Sequence, residues 1–194
     1  IERQVTEMVP GASLTVTRVA ERDWVAKSLE GLAPVTAGRF VVHGAHDRQR
    51  VPINKTGIEI EAALAFGTGH HGTTRGCLLA FETLRKRGGL TRRSRILDIG
   101  TGTGVLAIAA ALALRTKVLA SDIDSVAVAV AQENARLNHA GALFQGFTAA
   151  GAAAGRFRAE RPYDLIFANI LEAPLRRMSY PLAALLAPRG HLIL

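Results

Sequence analysis

Hydrophobic and polar positions repeat with two alternating periods from about residue 57 onward. Short apolar runs of strand length lie at 95–99, 117–121, 142–147, 163–168 and 190–194. Between them, three- and four-residue apolar spacing predicts helices at 73–87, 105–114, 124–138 and from about 174. Strands that alternate with helices of this length indicate parallel βαβ units. We therefore predict the α/β class, with a doubly wound, mostly parallel, Rossmann-like sheet.

Two segments fit this pattern less well. Pro181 falls inside the last helical stretch and is expected to kink or split it. The Ala/Gly-rich segment 149–155 predicts a loop or a frayed helix.

The first 56 residues have a different, broken pattern. They predict a strand at 14–18, a helix at 23–29 and a strand at 39–43, interrupted by glycine and proline. This mixed lead-in is too short for a convincing core of its own. We interpret residues 1–56 as the tail of an N-terminal domain plus a linker, and residues 57–194 as the main domain.

The formal net charge of +8 suggests an acidic neighbour. The basic residues fall in separate runs, however, and no aromatic residues are interleaved as platforms for base stacking. The charge is therefore read mainly as solvated surface, and direct nucleic-acid binding is not expected.

Localisation is predicted from three absences. No apolar run approaches the roughly 20 residues of a membrane span. No charged-then-apolar leader precedes the first strand, and the single cysteine, Cys77, fits a reducing compartment. These features predict a cytoplasmic protein without a membrane segment.

A glycine-rich turn joins the first predicted strand of the main domain to its helix. Glycines recur at every second residue from Gly100 through Gly102 to Gly104. A dinucleotide fingerprint would place another glycine at Val105, and no Gly-Lys-Ser/Thr is present for a triphosphate loop. Glycine at such a turn lets a ligand approach the backbone, where the helix N-terminus presents N–H groups.

Carboxylates flank this turn. Asp122 ends the second strand, where it can accept both hydroxyls of a ribose. Asp98 points at the turn and can orient the amino-acid part of a ligand or serve the structure alone. Asp124 is expected to cap the next helix. A nucleoside with a compact extension fits these signals, and S-adenosylmethionine is such a ligand.

Asn169 ends the fourth strand, beside the first strand of the sheet. Its amide can accept a hydrogen bond from an amine and aim the nitrogen lone pair at a methyl carbon. Methyl transfer from a sulfonium depends mostly on positioning and desolvation. A turn residue at a strand end is the simpler alternative.

The segment 65–74 (AFGTGHHGTT) is unusual for a core. We predict a lid over the cofactor, with Phe66 supplying an aromatic face and Thr74 a hydroxyl. Adjacent histidines at 70 and 71 suggest a metal only weakly, because no Cys or Glu stands at ligand spacing, and no metal site is predicted.

From about Asp23 to its end, the chain closely resembles the ribosomal protein L-eleven methyltransferase family of class I enzymes. The resemblance is carried by 65–74 and by LDIGTGTGVLA (97–107), SDID (121–124) and ANIL (168–171). It implies an S-adenosylmethionine-dependent enzyme that trimethylates lysine side chains and the N-terminal amine of that ribosomal protein. It also implies cofactor contacts at Thr74, Gly100, Asp122 and Asn169, with Phe66, His71 and Gly102 lining the same site.

The resemblance further implies an N-terminal substrate-recognition domain, of which residues 1–56 are the expected tail, and two sheet strands beyond the fifth. The chain departs from this family pattern in two ways. It is expected to be a fragment, and Phe147-Thr148 at the end of the third strand offers no carboxylate for an adenine amino group. The alternatives are a class I methyltransferase acting on RNA, glutamine or a small molecule, and a cofactor-binding module without turnover.

Overall fold

The computed structural model describes residues 34–60, 71–152 and 154–194, with His71 as backbone only. The predicted strand at 14–18 and helix at 23–29 lie outside these residues. Strands are labelled β1–β8 and helices α1–α5 in chain order. Their bounds are β1 Val35–Ala37, β2 Phe40–His43, β3 Thr56–Glu59, α1 His71–Lys86, β4 Ile96–Ile99, α2 Val105–Leu114, β5 Val118–Asp122, α3 Ser125–Leu137, β6 Phe144–Thr148, α4 Gly155–Glu160, β7 Tyr163–Phe167, α5 Glu172–Leu185 and β8 Leu186–Ile193.

The main sheet has five parallel strands in the order β6-β5-β4-β7-β8. The chain runs outward from β4 to β6, then returns to the other side of β4 with β7. Strand order therefore reverses between β4 and β7, the place where sheets of this kind bind ligands. All four residues of β4 are buried, as expected for a central strand covered on both faces. The predicted doubly wound parallel fold is confirmed.

Helices cover both faces of this sheet. The larger apolar cluster joins α1, α2 and α3 to one face, and the smaller joins α4 and α5 to the other. Helix α2 is apolar on all sides, with eight of its ten residues buried, and its alanines allow close approach to the sheet.

A second sheet lies in the N-terminal region. Strand β2 pairs antiparallel with β1 and parallel with β3, and a 3-10 helix at Ala45–Arg50 connects β2 to β3. Phe40 of β2 stacks on Phe81 of α1, with ring centroids 5.9 Å apart, within the same apolar cluster as α2. This sheet spans the predicted boundary at 56/57, because β2 and β3 pair across it. The assignment of residues 1–56 to a recognition domain stays a prediction.

Two features of the smaller apolar cluster go beyond the sequence expectations. Helix α5 is continuous through Pro181, so the helix is not split there. Leu182 and Leu185 beyond the proline are buried in that cluster and offset the lost backbone hydrogen bond. Just after 149–155, residues Gly155–Glu160 form α4, a helix that the charged sequence GRFRAE did not signal. Its Phe157 is fully buried, and burial of this ring fixes the helix against the sheet.

Strand β8 is longer than expected because it begins at Leu186 rather than Gly190. Its pairing with β7 is irregular: Leu186 pairs with Tyr163 and His191 with Leu165. Residues 187–190 are therefore looped out between these pairs. Nowhere in residues 34–60, 71–152 and 154–194 is there a helix with the length and apolar character of a membrane span.

Candidate active site

A cleft of about 690 Å³ opens at the carboxyl ends of β4, β5 and β7. Six residues singled out from the sequence line it: Thr74, Asp98, Gly100, Gly102, Asp122 and Asn169. They come from four separate parts of the chain, and the parallel sheet brings them together. Phe66 and the side chain of His71 lie outside the described residues, so their placement stays a prediction.

The backbone conformation of the turn between β4 and α2 requires glycine at three positions. Gly100, Gly102 and Gly104 have φ angles of 70°, 53° and 85°, a left-handed conformation that side chains disfavour. At Gly100 a Cβ atom would also lie 2.2 Å from Cγ2 of Ile170, which lines the same cleft. The turn from β4 therefore passes directly against the loop that follows β7.

Four N–H groups of the turn already have acceptors within the protein. Gly100 and Thr101 both donate to the carbonyl of Ser121, at 2.8 and 2.9 Å. The N–H of Gly102 donates to Asp122, and that of Gly104 to the carbonyl of Thr101. These four donors shape the turn and join it to β5. The glycines thus allow the turn to approach β5 and the loop after β7 closely.

Asp122 is held in a fixed orientation at the end of β5. Its Oδ2 accepts from the N–H of Gly102 at 2.9 Å, and its Oδ1 accepts from the N–H of Asp124 at 3.1 Å. A carboxylate oxygen can accept more than one hydrogen bond, so each oxygen keeps capacity for a hydroxyl donor. Asp124 caps α3 by accepting from the N–H of Val126, as expected.

Asp98 lies at the floor of the cleft and is almost fully buried. Its Oδ2 accepts a hydrogen bond of 2.7 Å from the hydroxyl of Thr101. Burial, with a smaller contribution from the nearby Asp122 carboxylate, raises the pKa of Asp98 to about 7, although hydrogen bonds from the Thr101 hydroxyl and the Ala107 backbone lower it. A cationic ligand group near Asp98 would favour its ionised form.

We expect Asp98 to make the ligand-free protein less stable as pH rises from about 4 to about 7. Its folded pKa lies above the ordinary value, so the folded state binds more protons in this window and loses stability as they dissociate. A difference of about 3 pKa units corresponds to an upper limit of about 4 kcal/mol.

Urea unfolding as a function of pH measures this effect in the wild type and in Asp98→Asn. In Asp98→Asn, the free energy of unfolding should change little between pH 4 and 7, even if the amide shifts it by a constant amount at every pH. An equal decline in both proteins would contradict the buried, protonated carboxyl.

Asn169 is connected to the start of α1. Its Nδ2 donates to Oγ1 of Thr74 at 3.2 Å, across 95 positions of sequence. With the amide nitrogen bound to Thr74, the Oδ1 of Asn169 remains as the acceptor at the cleft. The sequence predicted both residues separately but not this contact, which joins them into one element of the site.

An apolar wall of the cleft was missed by sequence reasoning. It is formed by Ile123 after β5 and by four residues after β7 and along α5: Ile170, Leu171, Pro174 and Met178. Ile123 and Leu171 are largely exposed, although each is a large hydrophobic residue. Their positions directly after Asp122 and within ANIL were the available signal, because residues that follow parallel strands gather at one edge.

No carboxylate side chain lines the cleft after β6, where Ala149 and Gly151 do so instead. This agrees with the absence noted at Phe147-Thr148. Among the described residues, no three His, Cys, Asp or Glu side chains form a group that could hold a metal.

A reversing parallel sheet with this cleft and glycine turn defines the class I methyltransferase fold. The sequence profile of "Ribosomal protein L11 methyltransferase (PrmA)" matches residues 2–194, and the chain belongs to this family. Ribosomal protein L11 methyltransferases of Rhodopseudomonas palustris and Bradyrhizobium diazoefficiens are 61% and 58% identical to it. Each alignment covers 94% of this chain and 61% of the relative, so the chain spans about three fifths of these relatives' length.

Among solved structures, the chain is similar to the crystal structure of ribosomal protein L11 methylase from Lactobacillus delbrueckii subsp. bulgaricus. The two share 28% identity with a TM-score of 0.70, over 83% of this chain and 78% of the other.

Proposed function

We propose that the protein is an S-adenosylmethionine-dependent N-methyltransferase of the cytoplasm whose substrate is ribosomal protein L11. The observation that carries the proposal is the convergence of Asp122, Asp98 and Asn169 around one glycine-lined cleft. The names of the related proteins support ribosomal protein L11 as the substrate. The family resemblance implies that the methylated groups are its lysine side chains and its N-terminal amine. The single, buried Cys77 is consistent with a reducing compartment.

The cleft residues fit the parts of this cofactor. Asp122 would accept the two ribose hydroxyls, because both its oxygens are oriented and retain acceptor capacity. Asp98 would attract the cationic amino-acid end. The exposed face of Ile123 offers an apolar surface to a flat base. Phe66, His71, Thr74, Gly100 and Gly102 complete the proposed contact set.

When bound, the cofactor supplies a methyl group on a cationic sulfur. Asn169 would accept a hydrogen bond from the acceptor amine and hold its lone pair in line with that methyl group. The apolar wall would exclude water and favour the neutral amine over the ammonium form. The methyl group would pass to the amine held at Asn169, with the N–C bond forming as the C–S bond breaks, and the proton of the methylated amine would leave to solvent.

Replacing Asn169 with aspartate should change the pH dependence of methyl transfer. A carboxylate beside the amine stabilises the ammonium form, so the pH–rate profile should move up by about one unit and kcat at pH 7 should fall about tenfold. Thr74→Val is the matched control, since it removes the contact to Asn169 without adding charge. It should lower the rate with no shift of the profile, and an unshifted profile in Asn169→Asp would contradict the assigned role.

The substrate is tested by incubating the protein with methyl-labelled cofactor and either free ribosomal protein L11 or whole ribosomes. Label should appear in L11 and be retained through RNase treatment. Label confined to RNA would instead support the alternative of an RNA methyltransferase. Cofactor binding without any transfer would support a binding module.

A further inference from the structure

The fold gathers basic residues at the edge of the sheet opposite the cleft. The loops that enter β4, β5 and β7 meet at the amino ends of these strands, and six cationic residues there are exposed. This basic edge consists of Arg92, Arg93, Arg95, Arg115, Lys117 and Arg161. Sequence reasoning set nucleic-acid binding aside because the basic runs are separate along the chain. The parallel sheet removes that argument by bringing them to one edge.

Pairing and hydrogen bonds fix the loops beside one another. Ile96, directly after Arg95, pairs with Val118 on one side and Leu165 on the other. The Arg95 guanidinium donates to the carbonyl of Arg161 at 3.1 Å, and the hydroxyl of Thr116 donates to the carbonyl of Ser94 at 3.3 Å. Neighbouring strands lie about 4.8 Å apart, so the three loops form one continuous surface.

Carboxylates do not neutralise this surface. Within residues 34–60, 71–152 and 154–194, none of the six side chains forms an ion pair with a carboxylate. The nearby Asp164 accepts from the backbone N–H of Arg95, and Glu160 pairs with Arg156. Charges held together in this way repel one another, so an anion is their natural partner.

One of the six residues, Arg115, also has an unusual backbone conformation. Among the described residues, left-handed φ angles outside glycine occur at Arg115 (51°), His139 (56°) and Arg189 (64°). Arg115 and His139 lie in loops at this same edge, and Arg189 lies in the irregular part of β8. A cation after a helix also complements the helix dipole, which accounts for Arg115.

We propose that the basic edge binds the phosphate backbone of double-stranded nucleic acid. Five of its six residues are arginines, whose planar guanidinium matches phosphate oxygens. No aromatic residue is available there to stack unpaired bases. Leu90 and Leu114, the leucines beside these loops, are buried, so they do not offer an apolar group to a membrane.

The proposal does not depend on the cleft or its cofactor. If the proposed ribosomal substrate is correct, the natural source of the phosphate is ribosomal RNA. Binding there would leave the cleft, on the opposite edge, open to a protein substrate.

Fluorescence anisotropy with a labelled RNA duplex of about 20 base pairs tests this, between about 50 and 200 mM salt and without cofactor. Arg92→Gln/Arg93→Gln removes two charges from the edge. Its matched control, Arg176→Gln/Arg177→Gln, removes an adjacent, exposed pair from α5. We expect the edge variant to bind the duplex about tenfold more weakly. The slope of its log affinity against log salt concentration should be smaller in magnitude by about two, and the affinity of the control should change less than twofold.

Three results would overturn the proposal. The wild type could fail to bind the duplex, both double variants could lose affinity equally, or polyglutamate could compete as well as RNA per unit charge. A DNA duplex of the same sequence distinguishes the source: equal affinity indicates recognition of phosphate alone, and tighter RNA binding indicates a preference for the A-form backbone. Since all six side chains are exposed, thermal unfolding should be the same in the variants and the wild type.

Discussion

Asp122→Ala should weaken binding of S-adenosylhomocysteine by about 100-fold or more. Two hydrogen bonds from the ribose hydroxyls to a charged carboxylate are worth roughly 1.5–3 kcal/mol each. The acceptor is also oriented before the ligand arrives, because the N–H groups of Gly102 and Asp124 hold its two oxygens. Isothermal titration calorimetry measures the change.

The neighbouring Asp124 supplies a matched control. It caps α3 and does not line the cleft. Asp124→Ala should therefore lower the free energy of unfolding by about 1 kcal/mol while leaving the affinity nearly unchanged. Equal losses of affinity in the two variants would show that damage to this loop, and not a lost ribose contact, weakens binding.

Gly100→Ala should lower the free energy of unfolding by about 2–5 kcal/mol, the sum of left-handed strain and overpacking. The overpacking arises because the new Cβ would lie 2.2 Å from Cγ2 of Ile170. Gly102→Ala separates the two causes: its φ is also positive, but its Cβ would meet nothing within 4 Å. That variant should lose only about 1–2 kcal/mol.

A double variant completes this comparison. Gly100→Ala/Ile170→Ala also removes the methyl group that clashes with the new Cβ. In a double-mutant cycle, the coupling free energy should therefore equal the overpacking part of the loss in unfolding free energy, while the loss due to left-handed strain remains. Urea unfolding of the four proteins measures it. Strict additivity of the two substitutions would contradict the contact between the turn and the loop after β7.

The sequence predicted best those elements whose signals are local. Helix α2 was bounded correctly at Val105 and Leu114, because a glycine turn precedes a continuous apolar run. Strands β1 and β3 were missed, since their pairing with β2 joins segments that carry no alternation of their own. Helix α4 was missed for a similar reason: only burial of Phe157 in a distant cluster stabilises it.

The same distinction holds at the site. Residue types at strand ends identified Asp98, Asp122 and Asn169, because parallel strands end at one edge. Hydrogen bonds between residues far apart in sequence were not predictable. The carbonyl of Ser121 accepts from two N–H groups of the glycine turn, and Asn169 donates to the hydroxyl of Thr74. The expected grip by the turn's amides stays a prediction, and the N–H groups of Gly100, Thr101 and Gly102 already have protein acceptors.

The proposed function requires that Asp122, Asp98 and Asn169 surround one adenosyl ligand at the carboxyl edge of the sheet. A crystal structure of the protein with S-adenosylhomocysteine tests it most directly. We predict both ribose hydroxyls within hydrogen-bonding distance of Asp122, the amino-acid end toward Asp98 and the sulfur facing Asn169. A ligand bound elsewhere, or in this cleft with its ribose away from Asp122, would contradict the account.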